Sequence, residues 1–259
     1  MTSRLSRVLE KREKLCYTFT MDKGIIIAGK DFPETRAFVK AASANGFSVI
    51  TSLADESAQI PAEPVKGFVW QKASPVSARS FVFEAQTALP KLTHALLIFD
   101  TLSYINKIHL RDSQSLSSGI DDLIASYMHI TRELLGRFAI LGGGTLCFVF
   151  KPYPENAKFG ARKEAVSSSQ AFVLAAASAF KTFAEQTALS NVSSSGIDFV
   201  LCEEDPAAEN DGETADFVFS ALSAAGTAKS GGKNGGKKQN ARWLRAGSKF
   251  SVGWNLFSR

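Results

Sequence analysis

Two residues that could exchange a proton stand close together after one apolar run of the chain. Lys151 and Tyr153 follow the run 145–150 and are separated only by Pro152. A neighbouring ammonium group lowers the pKa of a phenol, so this pair could supply a general acid. The alternative is a solvated turn bounded by Pro152 and Pro154, in which the two side chains share no task.

A second group of polar residues follows the first apolar run. Gly29, Lys30 and Asp31 come directly after the run 24–28 and precede a helical pattern. A strand, a glycine and a helix in that order form the place where a dinucleotide-binding fold has its phosphate loop. One glycine after a strand is weak support for such a site, because the full fingerprint has three.

Two further strand ends carry residues that could face a ligand. Asp100 and Thr101 end the apolar run 94–99, where polar side chains either line a pocket or cap the strand end. Asp55 comes shortly after the run 47–51 and could bind a ribose hydroxyl. An ordinary loop acid is the alternative for Asp55.

The sequence lacks the patterns of several other kinds of site. His94, His109 and His129 do not have metal-ligand spacing, and three scattered cysteines form neither a disulfide framework nor a Cys-rich zinc site. Cys147 and Cys202 lie within apolar runs, so we expect inert buried thiols. No P-loop and no nucleophile elbow occurs.

These residues lie on a regular alternation of short apolar runs and helical patterns. The runs predict strands at 24–29, 47–51, 67–71, 94–100, 145–150 and 197–203, with a last one at 249–254. The helical patterns cover 34–46, 74–89, 119–139, 167–189 and 214–225. This alternation predicts an α/β fold, a Rossmann-like doubly wound parallel sheet of about seven strands with helices on both faces.

The net charge of +5 on 259 residues is unevenly distributed. Because residues 1–23 carry +3, residues 229–249 carry +7 and Arg259 adds +1, residues 24–228 carry −6. A nucleic-acid-binding fold spreads its basic residues over the body, so nucleic acid is not an expected partner. The basic stretch 229–249 is interpreted as a flexible loop or as a contact for an acidic protein partner.

Composition predicts a folded protein without a membrane span. The hydrophobic fraction of 45% excludes a disordered chain, and no apolar run approaches the ~18 residues that span a membrane. We expect a partly helical basic segment at 1–22 and a single domain at 23–259 with a Gly/Lys-rich loop at 229–241. No signal peptide is recognised, which predicts a cytoplasmic protein; either Met1 or Met21 could be the true start.

The order and spacing of these elements resemble the short-chain dehydrogenase/reductase (SDR) family over about residues 23–257. The family has T-G-x-x-x-G-x-G after its first strand, where this chain has AGKDFPET at 28–35. Pro33 and Thr35 replace two of the three glycines, and Glu34 adds a negative charge that would repel a phosphate. The resemblance implies Gly29, Lys30, Asp31, Asp100 and Thr101 as the cofactor-contacting positions.

The resemblance also implies that the family's catalytic residues are replaced in this chain. The family's catalytic Asn, Ser, Tyr and Lys fall on Leu123, Lys151, Ser169 and Val173, and no Tyr-x-x-x-Lys occurs in the 259 residues. Loss of a proton-transfer group alone lowers a rate by ~10²–10⁴-fold. We therefore expect no catalytic residues of the family type and no cofactor, with NAD(P) as the alternative.

Two functions follow from this comparison with the family. The first is a non-catalytic SDR-fold protein acting as a binding, regulatory or structural subunit. The second is an atypical NAD(P)-dependent oxidoreductase that uses Lys151, Tyr153 and Asp100 as substitutes. Family members pair their long helices across a two-fold axis, and the helix at 167–189 is apolar nearly all round. This predicts a homodimer or homotetramer through the helices around 119–139 and 167–189, unless loops cover that face.

Overall fold

A computed structural model describes residues 23–58, 62, 64–153, 167–191, 196–205, 208, 210–228 and 242–245. The strands are β1 (Lys23–Ala28), β2 (Phe47–Leu53), β3 (Lys66–Val69), β4 (Leu92–Asp100), β5 (Gly144–Lys151), β6 (Ile197–Glu203) and β7 (Leu244–Arg245). The helices are α1 (Arg36–Ala44), α2 (Pro75–Ala88), α3 (Thr101–Lys107), α4 (Ser113–Ile120), α5 (Ser126–Ile140), α6 (Ser168–Ser190) and α7 (Asp211–Ala228), and a π-helical turn (Asp121–Ala125) joins α4 to α5.

The described strands form one parallel sheet, which confirms the predicted doubly wound fold. Their order is β3-β2-β1-β4-β5-β6-β7, so the winding direction reverses between β1 and β4. Ligands of open parallel sheets bind at such a reversal, beyond the carboxyl ends of the strands. The candidate site residues that follow β1, β4 and β5 are therefore at one edge of the sheet.

Two apolar layers hold the helices on opposite faces of the sheet. Buried residues of α2, α5 and α6, such as Phe81, Leu134 and Phe180, pack on one face. Buried residues of α1 and α7, such as Phe38 and Phe219, pack on the other. Because the central strands are covered on both faces, their sequences are continuous apolar runs instead of alternating ones.

Most predicted elements are confirmed within a few residues, with differences at the helix starts and at the last strand. Ser74 caps α2 by accepting a hydrogen bond from the backbone N–H of Ser77, as the sequence predicts. The helix predicted over 119–139 begins earlier, at Ser113, where Asp112 forms a capping box with Ser115. Helix α3 was not predicted. The predicted strand 249–254 lies outside the described residues, and the strand beside β6 is the two-residue β7.

No helix among the described residues has both the length and the apolar character needed to cross a membrane. The predicted N-terminal segment 1–22 and the Gly/Lys-rich loop 229–241 lie outside the described residues.

Candidate functional site

Charged side chains from five parts of the fold meet at the carboxyl edge of the sheet. We name Lys30, Asp100, Lys151, Glu204 and Asp211 the crevice network. Lys30 follows β1, Asp100 and Lys151 end β4 and β5, Glu204 follows β6, and Asp211 begins α7. Parallel strands bring these positions together because their carboxyl ends lie at the same edge.

Within the crevice network, each ammonium group contacts more than one carboxylate. The Asp100 Oδ2 atom lies 2.6 Å from Lys30 Nζ and 3.1 Å from Lys151 Nζ. Asp211 places one carboxylate oxygen 3.4 Å from Lys30 Nζ and accepts a hydrogen bond from Lys151 with the other. Glu204 Oε1 lies 3.6 Å from Lys151 Nζ. Two cations and three carboxylates thus form a connected set of ion pairs.

Neighbouring opposite charges keep Asp100 and Lys151 ionised against the effect of burial. The side chains of Lys30 and Asp100 are each 8% exposed. Burial opposes ionisation of Asp100, but Lys30 and Lys151 outweigh it and hold the pKa of Asp100 below its usual value. Burial alone would lower the pKa of Lys151, yet Asp100 and Asp211 raise it. A lysine held protonated in this way is a poor proton donor or acceptor near neutral pH.

Glu204 of the crevice network is harder to ionise than a glutamate in water. Burial raises its pKa above the usual value. The hydroxyl of Thr214, in the first turn of α7, donates a hydrogen bond to Glu204 Oε1 at 2.5 Å. The third carboxylate is therefore anchored to α7 as well as to Lys151.

A second ion pair lies beside the ends of β1, β2 and β3. Lys72 Nζ is 3.0 Å from Asp31 Oδ2 and stands about 6 Å from the ring centres of Trp70 and Tyr104. The hydroxyl of Ser52 donates to Asp31 Oδ1 at 2.7 Å. Burial alone would lower the pKa of Lys72, but Tyr104 and Asp31 raise it.

Two buried tyrosines lie beneath the β1–α1 loop. The Tyr104 hydroxyl donates to the carbonyl of Gly29 at 2.8 Å, and the Tyr127 hydroxyl donates to the carbonyl of Ile98 at 2.6 Å. The two hydroxyl oxygens are 2.8 Å apart. Burial raises the pKa of both tyrosines. Neither has the lowered pKa that would suit it as a substitute for the family's catalytic tyrosine.

Several backbone N–H groups in the β1–α1 loop, residues 29–35, and at the first residue after it are bonded within the protein. The N–H groups of Phe32, Glu34 and Arg36 donate to the carbonyls of Ser52, Asp31 and Pro33, respectively. The side chain of Thr35 is fully buried and shares a 3.0 Å hydrogen bond with Thr51 of β2. The threonine at the third glycine position is therefore accommodated by a polar contact between helix α1 and the sheet.

Gly29, the one fingerprint glycine that this chain keeps, is required by packing. Its φ of +103° belongs to the region that favours glycine, and an added Cβ would lie 2.2 Å from the carbonyl oxygen of Ile98. The close approach of the loop to β4 explains this glycine without any ligand.

Asp100 and Thr101 make the strand-end contacts that were the alternative to ligand binding. Asp100 Oδ1 accepts a hydrogen bond from Ser103 N and caps helix α3. The Thr101 hydroxyl donates to the carbonyl of Lys151 at 2.8 Å. Asp55 is exposed and accepts two hydrogen bonds from Ser57, as an ordinary loop acid does.

The positions that match the family's other catalytic residues have structural contacts. Leu123 and Val173 are buried in the core between the helices and the sheet. The Ser169 hydroxyl accepts a hydrogen bond from Leu110 N at 2.8 Å and ties α6 to the loop before α4. Tyr153 is described, but residues 154–166 that follow it are not, so its pairing with Lys151 stays a prediction.

Sequence reasoning missed Glu204, Asp211, Lys72, Tyr104 and Tyr127. Glu204 had a signal, because it directly follows an apolar run predicted as a strand. The other four residues have no such sequence signal, since they reach the site from helices or from the coil after β3.

Other predicted features are reported for the described residues only. No group of three or more His, Cys, Asp or Glu there could hold a metal ion. Cys147 and Cys202 are buried free thiols, and burial raises the pKa of Cys147. This agrees with the predicted inert thiols.

Comparisons with known proteins establish the fold. No family model matches the sequence. An uncharacterized protein of Treponema pallidum (strain Nichols) is 26% identical over 170 residues, which cover 65% of this chain and 72% of that protein. The matching solved structures described next share at most 15% identity with this chain.

Three solved structures illustrate the similarity. A short-chain dehydrogenase/reductase variant from Serratia marcescens has a TM-score of 0.56 at 15% identity, covering 77% of this chain and 88% of its own. A short-chain dehydrogenase from Streptomyces avermitilis has a TM-score of 0.56 at 15% identity, covering 89% and 90%. A 3-ketoacyl-(acyl-carrier-protein) reductase from Brucella melitensis, complexed with NADH, has a TM-score of 0.53 at 11% identity, covering 72% and 76%. The chain therefore has the SDR fold.

Proposed function

We propose that this SDR-fold protein has lost dehydrogenase chemistry and acts as a binding, regulatory or structural subunit. The observation that carries the proposal is the neutralisation of Lys151 by Asp100, Asp211 and Glu204. Ser169 and Val173, at the family's Tyr and Lys positions, bind a neighbouring loop and fill the core. These contacts supply no group suited to give or take a proton beside a hydride acceptor.

The residues at the crevice do not fit a dinucleotide. In dinucleotide-binding folds the pyrophosphate is bound by free backbone N–H groups at the start of the helix. The N–H groups of Glu34 and Arg36 are used within the loop, and Pro33 has none. Lys30 lies between two carboxylates, which would repel a phosphate at the same place. We therefore assign no hydride-transfer step to this chain.

The second candidate is an atypical NAD(P)-dependent oxidoreductase. Two observations favour it: the sheet keeps the strand order that forms a crevice at its carboxyl edge, and one similar structure, the Brucella reductase, is complexed with NADH. In this case Lys151, Tyr153 and Asp100 would carry the chemistry.

A cofactor-turnover assay separates the two candidates. Purified full-length protein is mixed with NADH or NADPH and a panel of ketones and aldehydes, and loss of the reduced cofactor is followed by its fluorescence. We expect the rate of a protein-free blank. Turnover that disappears in Lys151→Met but persists in the matched control Lys107→Met would establish the oxidoreductase instead, because Lys107 is an exposed lysine outside the crevice network.

The helices on one face of the sheet support a homodimer or homotetramer. In the described part of the chain, the helices around 119–139 and 167–189 keep four large apolar side chains exposed: Ile120, Met128, Leu174 and Leu189. A shallow apolar hollow lies between α5 and α6, and its lining includes Met128, Ala179 and Phe183. Burial of such a face against a second copy would remove apolar surface from water.

Light scattering coupled to size exclusion tests the assembly. We expect a dimer or tetramer for the natural chain and a monomer for the double variant Met128→Glu/Leu174→Glu. Val76→Glu is the matched control, because Val76 is also exposed but lies on α2, outside the proposed pairing helices. A monomeric natural chain would refute the assembly.

The basic stretch 229–249 completes the proposal as a contact for an acidic protein partner. It carries seven basic residues and no acidic one, and opposite charge favours association. Most of the stretch lies outside the described residues, so the support for this contact is its composition alone.

A further inference from the structure

The β1–α1 loop carries three charged residues, and each is paired with a different part of the fold. Lys30 pairs with Asp100 of β4 and with Asp211 of α7. Asp31 pairs with Lys72, from the coil between β3 and α2. Glu34 pairs with Lys107 of α3. The loop is thus tied to elements on both sides of the point where the winding of the sheet reverses.

Lys30 and Lys72 lie in the two halves of the crevice. Lys30 is beside the ends of β4 and β5, with Lys151 as its neighbour across Asp100. Lys72 is beside the ends of β1, β2 and β3, where Ser52 and Asp31 bind each other. A dinucleotide bound across the reversal of the sheet would extend over both halves.

We propose that this crevice is self-liganded: the ammonium groups of Lys30 and Lys72 take the place of a ligand and hold the β1–α1 loop in one conformation. The inference rests on the proposed function, because Lys30 and Lys72 are already paired with the chain's own carboxylates and are not offered to a cofactor phosphate. The inference extends the proposed function, because it assigns a structural role to the crevice and names the ion pairs that perform it.

Two ion pairs of the loop differ in burial, so the proposal can be tested by comparing how much each pair stabilises the fold. The side chains of Lys72 and Asp31 are each 17% exposed, whereas those of Lys107 and Glu34 are 53% and 37% exposed. Removing one partner of a buried pair leaves an uncompensated buried charge, which is strongly destabilising. Removing one partner of an exposed pair has little effect.

A double-mutant cycle tests the buried pair. Asp31→Asn keeps an acceptor for Ser52, and Lys72→Met keeps an apolar chain of similar length between the two rings. We expect each single variant to lower the folding equilibrium constant by about 100-fold. The folding equilibrium constant of the double variant should fall at least ~10-fold less than the product of the two single reductions, because the double variant leaves no unpaired charge behind.

The matched control is the exposed pair in the same loop. Glu34→Gln and Lys107→Met should show a coupling below about 5-fold. Denaturant unfolding of the full chain measures both cycles. A coupling between Asp31 and Lys72 no larger than that between Glu34 and Lys107 would overturn the proposal.

Hydrogen exchange on the natural chain keeps the test decisive if a single variant fails to fold. We expect the backbone amides of Phe32, Glu34 and Arg36 to be protected without any ligand, and their protection to be unchanged by NADH. Protection that arises only when NADH is added would show that an external ligand, not Lys30 and Lys72, orders the loop.

These results distinguish failure of the inference from failure of the proposed function. Cofactor turnover with a strongly coupled Asp31–Lys72 pair would refute the non-catalytic function and leave the structural role of that pair intact. A missing coupling without turnover would refute the self-liganded crevice alone.

Discussion

Substitution of Asp100 can remove one carboxylate charge from the crevice network and keep the hydrogen bond by which this residue caps α3. Its Oδ1 atom caps α3, and its Oδ2 atom lies 2.6 Å from Lys30 and 3.1 Å from Lys151. Asparagine is an equally good N-cap residue. The variant Asp100→Asn should therefore keep the helix cap and lose only the carboxylate between two ammonium groups.

The expected magnitude follows from burial and from the partners that remain. Removing one member of a buried ion pair costs about 3–5 kcal/mol. Both lysines still contact Asp211, whose side chain is 28% exposed, so we expect a smaller loss of about 2–3 kcal/mol. For a chain of this size the melting temperature should fall by about 4–12 °C.

The pH dependence identifies the charge as the cause. The pKa of Asp100 is held below its usual value in the folded protein, so its contribution to stability is present above the unfolded carboxyl pKa. It is lost as the pH falls through the folded pKa. The difference between the natural chain and Asp100→Asn should be complete at pH 7 and should shrink below about pH 4.

Urea unfolding followed by circular dichroism over a pH series measures this difference. Asp55→Asn is the matched control, because Asp55 is an exposed loop acid that bonds only its own turn among its described contacts. We expect it to change stability by less than about 0.5 kcal/mol. Equal stability of Asp100→Asn and the natural chain at pH 7 would refute the reasoning, and so would a difference that does not narrow in acid.

Three further predictions concern the surroundings of the site. Gly29→Ala should lower the free energy of unfolding by at least about 2–3 kcal/mol, since the new Cβ would meet Ile98 O; Gly142→Ala, with positive φ but open space around it, should lose only about 1 kcal/mol in the same urea titration. The ring signals of His94 should titrate near pH 4 in NMR spectra, because burial and Lys23 lower its pKa to about 4. The neutral ring then contributes stability that is lost as the pH falls from about 6.5 toward 4. A titration midpoint near pH 6.5 would contradict this. Tyr127→Phe should lose about 1–3 kcal/mol in thermal unfolding, because it removes the hydroxyl that donates to the buried carbonyl of Ile98; an unchanged melting temperature would show that this bond contributes nothing.

The fold is predictable from the sequence because strands that are buried on both faces of the sheet have recognisable apolar sequences. Runs such as 145–150 and 197–203 are apolar throughout, as strands covered by helices on two sides must be. Caps at Ser74 and glycines at strand ends then mark the helix boundaries. The short helix α3 escaped prediction, because seven residues capped by the last residue of a strand give no periodic pattern.

The candidate site is predictable only in part. The meeting of Lys30, Asp100 and Lys151 follows from one rule, since parallel strands end at the same edge. The sequence does not predict that these charges neutralise one another, because Asp211 arrives from the start of α7 and Lys72 from the coil after β3. Contacts between residues so far apart in the chain depend on tertiary packing, which local patterns do not record.

In the self-liganded crevice that we propose, the chain's own ion pairs take the place of a bound cofactor. Calorimetric titration of the full-length protein with NADH and NADPH tests it most directly, with a thermal unfolding scan at the highest cofactor concentration. We expect no saturable heat and no rise in melting temperature. Saturable binding of either cofactor, together with a stabilisation of about 2.7 kcal/mol at a hundred times the Kd, would contradict the account.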